Sequence, residues 1–157
     1  MDKMLKAAIP VCLAVLMLFL AACGSEPAHA DLQQVYEEIS GLPEMPEMLS
    51  LTGKRLKNNY GIDPESCPQA IVAICGDGLR VDEIWLIEAG SEAEAENVLA
   101  LAQSRVQQIC AETESYLPDQ YAVAKQARFL RIGNCVGMFI SPDASAMEEL
   151  FRQAFAR

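Results

Sequence analysis

The chain has 157 residues, with 12 Lys and Arg against 22 Asp and Glu and a single histidine, for a net charge of −10. That balance excludes a nucleic-acid binder, which needs Lys and Arg clustered against phosphate. The lone histidine, His29, stands near the N-terminus, so the body of the chain has no Ser-His-Asp or Cys-His catalytic pair and no histidine-bearing zinc site.

Lys3 and Lys6 give a basic start, Ile9 to Leu20 is an apolar stretch of 12 residues, and small Ala21 and Ala22 follow. Basic, apolar, small is the order of an export signal, and the stretch falls short of the about 20 apolar residues of a spanning helix. Leu20-Ala21-Ala22-Cys23 resembles the signal of bacterial lipoproteins. The resemblance implies a signal peptide over 1–22, cleavage between Ala22 and Cys23, and a diacylglyceryl group with palmitate-type chains on the Cys23 sulfur. The alternatives are an ordinary secretory signal cut after Ala28-His29-Ala30, and an uncleaved anchor. Loss of 1–22 removes Lys3, Lys6 and Asp2 and takes the charge from −10 to −11. Two acyl chains hold a protein stably where one is marginal, at about 0.8 kcal/mol per buried methylene. An acidic domain is repelled by anionic headgroups, so the lipid does the holding. Residues 23–30 form the lipidated tether, and 24–30 span at most about 24 Å. The domain, 31–157, is therefore expected outside the cytoplasm and close to the bilayer.

In chain order, Asp31 caps a helix with Leu32, Val35, Tyr36 and Ile39 on one face, ended by Gly41 and Pro43. A weaker helix is predicted over 51–60, closed by Gly61. Residues 70–75 are apolar on both faces and read as a buried strand. Gly76-Asp77-Gly78 turns the chain into a second strand over 81–89. Ser91 with Glu94 forms a capping box for a long helix to about Glu114. Its stripe is Ala95, Val98, Leu99, Ala102, Val106 and Ile109. Residues 116–121 break it. Strands over 126–132 and 135–141 flank Gly133-Asn134, a two-residue hairpin turn. The last helix follows Ser141-Pro142-Asp143. The order α-α-β-β-α-β-β-α predicts an α+β, two-layer domain: one antiparallel sheet of about four strands covered by helices.

From about Leu51 to Phe155 the chain is similar to a family of small bacterial lipoproteins, the domain of unknown function 4358. The matching features are Tyr60-Gly61-Ile62-Asp63-Pro64, Val81-Asp82-Glu83-Ile84, Arg105, Tyr116-Leu117-Pro118-Asp119-Gln120-Tyr121, Gly133-Asn134 and Phe151. The chain departs from the family pattern at Cys135, where an aromatic is expected. The resemblance implies a membrane-tethered extracytoplasmic domain and brings no catalytic residue and no cofactor with it.

Beyond the expected signal peptide, which holds Cys12, four cysteines remain besides Cys23: Cys67, Cys75, Cys110 and Cys135, none in a CxxC spacing. That argues against a zinc or thioredoxin-type site. They read as small packing residues or as one or two disulfides, which export permits. Asp82 and Glu83 open a strand and point to opposite faces, which argues against a glycosidase-type pair. Arg105, in a mostly apolar stretch of helix, is expected to pair with Asp82, Glu83 or Glu88. Tyr116, Pro118 and Tyr121 either pack on the sheet edge or form a recognition loop. Thr52-Gly53-Lys54 lacks the glycine and strand of a phosphate loop. The reading is a tethered envelope lipoprotein, a non-enzymatic binding or accessory module for a partner protein. The alternatives are a small carboxylate-based envelope enzyme and a carrier of an apolar ligand.

Overall fold

The computed structural model describes residues 29–156. The expected signal peptide, Ala22, Cys23 and most of the tether lie outside the described residues.

Helix α1 (Leu32–Ser40) begins at Asp31, whose carboxylate accepts from the Gln33 and Gln34 amides, and ends at Gly41. Strand β1 (Met48–Leu51) and helix α2 (Gly53–Tyr60) follow, and Gly61 closes α2 at φ 71°. Strands β2 (Gln69–Cys75) and β3 (Glu83–Glu88) form the first hairpin. Helix α3 (Glu92–Thr113) starts where Ser91 Oγ accepts from the Glu94 amide. Helix α4 (Pro118–Lys125) leads into β4 (Arg128–Ile132) and β5 (Cys135–Ile140), joined by a turn with Gly133 at φ 57°; α5 (Ala144–Ala154) ends the fold.

All pairings in the sheet are antiparallel, in the order β1-β2-β3-β5-β4. The expected α+β class and antiparallel sheet hold. The strands number five rather than about four, because Met48–Leu51 adds an edge strand to β2. Residues 118–121, expected as part of a helix break, instead open α4: proline at a first helical position lacks only an N–H that would have no partner there.

The helices do not lie on a single face. Trp85, Ile87, Val136, Met138 and Ile140 pack with α2, α3 and α4, whereas Ile84, Leu86, Cys135 and Phe139 pack with α1 and α5. The layers are therefore three, not two. The cause is visible in the central strands: every residue of β3 and β5 is buried, so both faces of the sheet need cover. Each large apolar side chain buried this way contributes roughly 1.5–3 kcal/mol.

This geometry also corrects the disulfide alternative, since all four described cysteines are free thiols. Cys67 and Cys110 share the α3 face, but Cys67 sits by the start of α3 and Cys110 near its end. Cys135 lies on the opposite face beside Glu88, while Cys75 pairs with Met48 at the other end of the sheet. No disulfide joins any pair of these four cysteines. Burial, with the Glu88 charge adding to it, pushes the Cys135 thiol up to about 12. Cys135 is expected to resist a maleimide reagent at neutral pH while the fold is intact, and partly exposed Cys67 to react; mass spectrometry of the labelled protein reads both.

Candidate functional site

Two ion pairs meet at the end of the sheet where β2 turns into β3. Glu83 is 2% exposed and faces α3. Arg105 donates to it through Nη2 at 2.9 Å and Nε at 3.1 Å to Oε2, and the Trp85 indole donates to Oε1 at 2.7 Å. The Arg105 guanidinium also lies over the Tyr60 ring at 5.3 Å, and Tyr60 meets Trp85 edge-on at 5.7 Å. Arg105 sits here because the stripe of α3 carries it across the sheet one turn before Ile109. Of the three acids expected as its partner, Glu83 receives it. Asp82 is taken by Arg80, with Nε–Oδ2 at 2.9 Å and Nη2–Oδ1 at 3.1 Å. Glu88 lies at the other end of β3 and accepts from Gln69.

Arg80, Asp82, Glu83 and Arg105 border a cleft of about 340 Å³ between the β2–β3 hairpin and the end of α3. Ile74, Val81, Ile109 and Leu117 supply its apolar lining. Leu79 at the hairpin tip is 67% exposed and Tyr116 beyond α3 is 86% exposed. Gln120 of α4 accepts from the Val81 amide at 3.1 Å, so the segment after α3 is fastened to the hairpin. Of the expected recognition loop, Tyr116 stands out into solvent, Pro118 opens α4, and Tyr121 is a partly buried helical residue under Lys125.

Burial works to lower the Arg105 pKa, and the Glu83 hydrogen bonds and charge overcome it, leaving a net rise. Burial raises the Tyr60 hydroxyl above its ordinary 10.0, aided by Glu83 and opposed by Arg105. Folded Tyr60 thus holds its proton more tightly than the unfolded chain does. Its contribution is complete below the unfolded value and is lost as pH rises through the folded one. Raising the pH from about 9 to about 11 is expected to lower the urea midpoint of the native protein more than that of Tyr60→Phe.

Chemically, the cleft offers satisfied charges. Of the four acids that line it, Asp82 and Glu83 are each bound by a guanidinium through two nitrogens, Asp77 accepts from the Leu79 amide and Glu112 from Gln108, and no buried side-chain polar atom among the described residues lacks a partner. No cluster of three or more metal-ligating side chains occurs among the described residues. Sequence reasoning singled out Arg105, Asp82 and Glu83 but missed Arg80 and Trp85. Both stand two residues from their partner along an extended segment, which puts them on its side of the chain, and that spacing was readable.

Fold and cleft together define a small three-layer α+β domain with a recess at one end of its sheet that carries two carboxylate–guanidinium pairs. The chain belongs to the family described as Domain of unknown function (DUF4358), which matches residues 43–141. Tyr60, Glu83 and Arg105, which carry the resemblance noted from sequence, lie within this match and converge on the one cluster, while Phe151 lies beyond it. No curated protein and no solved structure matches the chain significantly.

Proposed function

We propose that the protein is a membrane-tethered extracytoplasmic lipoprotein, anchored through Cys23, whose domain is a non-enzymatic binding or accessory module for an envelope partner. The carrying observation is the commitment of Asp82 and Glu83 to Arg80 and Arg105. The oxygens of these two carboxylates are already taken by guanidinium nitrogens, which weighs against the carboxylate-based enzyme. What the cleft leaves open is apolar surface from Ile74, Val81, Ile109 and Leu117 with exposed Leu79 at its edge, the composition of a contact patch. The apolar-carrier reading loses ground because β2 lies between two cores filled by side chains. The anchor rests on the sequence before Cys23; no helix among the described residues is long and apolar enough to cross a membrane.

The test pairs the full chain with Cys23→Ala, each carrying a C-terminal tag, in gently solubilised native membranes. A diacylglyceryl mass on the Cys23 peptide, and a partner protein retained by the lipidated form alone, support the reading. An unmodified N-terminus on a protein that leaves the membrane without detergent overturns the anchor, and absence of a partner from both forms overturns the accessory role.

A further inference from the structure

The last residues of the tether belong to the fold. Ala30 is 4% exposed and packs with Leu32 in the core under α1. One side-chain amide grips the backbone on both sides of the tether's entry: Gln69 Nε2 donates to the Ala30 carbonyl at 2.8 Å, and Gln69 Oε1 accepts from the Leu32 amide at 2.9 Å. The same Nε2 donates to Glu88 at 2.7 Å, and the His29 ring lies 3.6 Å from the other Glu88 oxygen. The chain thus enters at a fixed point, the end of the sheet marked by Ser66, Gly90 and Asn134.

The cleft is at the opposite end. From its start beside Ser66 and Gly90, α3 runs 22 residues to the cleft, about 33 Å at 1.5 Å per residue. The chain from Cys23 to Ala30 reaches at most about 24 Å. Turning the cleft toward the bilayer would need Ala30 to stand a full domain length above the membrane, farther than the tether extends.

We infer that the Gln69 clamp and the short tether orient the domain, with the Ser66–Gly90–Asn134 end facing the bilayer and the hairpin cleft presented away from it. The occupant of the proximal face is a lipid surface, named by the length of chain between the anchor and the clamp. The inference rests on lipidation at Cys23. Its consequence is that a partner at the cleft approaches from the far side of the envelope space or stands well above the membrane.

The experiment uses the full lipidated protein in phosphatidylcholine–phosphatidylglycerol nanodiscs doped with a gadolinium-headgroup lipid, read by amide signal intensity. Ser66, Gly90 and Asn134 are expected to lose signal, and Gly76 and Leu79 to keep it. Equal loss at both ends, or loss at the hairpin alone, overturns the inference. Two variants check the cause. Gln69→Ala is expected to reduce the contrast between the ends. A ten-residue Gly/Ser insertion after Ser25, which leaves the folded residues untouched and adds about 33 Å of reach, is expected to abolish it; an unchanged contrast in the insertion variant counts against the tether as the orienting element. Failure of lipidation itself is read separately, as protein that does not co-elute with the discs.

Discussion

Arg105→Met is expected to destabilise the domain by about 3 kcal/mol, read as a lower urea midpoint with an unchanged slope. The substitution keeps most of the apolar stem that packs along α3 and removes the guanidinium. Glu83 is then left in a buried site with only the Trp85 indole as donor, and a buried carboxylate stripped of its cation is the costly state. Adding Glu83→Leu removes that charge as well. The double variant is expected to recover much of the loss, because two apolar side chains substitute well for a buried ion pair. Equal losses in the single and double variants would contradict the stranding of Glu83 as the source of the cost. The cycle separates the pair from its packing in a way neither single change does.

Phe139→Ala is expected to cost about 3–5 kcal/mol. Phe139 is fully buried on the α1–α5 face and meets Phe151 edge-on at 6.1 Å. Its ring folds back over Gly137: a Cβ built there would stand 2.9 Å from Phe139 Cζ and 3.4 Å from the Phe151 ring. Gly137→Ala alone is therefore expected to cost about 1–3 kcal/mol by overpacking. With Phe139 already reduced to alanine, the added methyl enters vacated space and its cost falls or reverses. The two effects are expected to be strongly non-additive in thermal or urea unfolding, and simple additivity would contradict this packing of the core.

How far the fold was legible follows from these same residues. Asp31, Ser91 and Gly133-Asn134 act locally, through caps and a turn, and their elements lie where the pattern put them. The alternation of Ile84 and Leu86 with Trp85 and Ile87 also held, and since both sets are apolar it already implied cover on both faces. Strand β1 was not legible. Its four residues lie just after Pro46 and just before Gly53, too short for periodicity to separate from a connector, and only pairing with β2 makes them a strand. Helix α4 was hidden because proline both stops a helix and starts one.

At the site, Arg105 was conspicuous as a charge in an apolar stripe, but its choice among three acids depended on where α3 crosses the sheet. Gln69 gave no signal at all. A glutamine at a strand's start is ordinary, and its grip on Ala30 and Leu32 is a contact across 37 to 39 residues that only the fold creates.

The most direct test of the account is photo-crosslinking in intact cells, with a photoreactive amino acid placed at Leu79 beside the cleft or at Ser66 at the opposite end. A discrete crosslinked protein is expected from position 79, lost when Cys23 is replaced by alanine, and none from position 66. A crosslink from Ser66 alone, or one from Leu79 that persists without Cys23, would contradict a tethered module that meets its partner at the hairpin cleft.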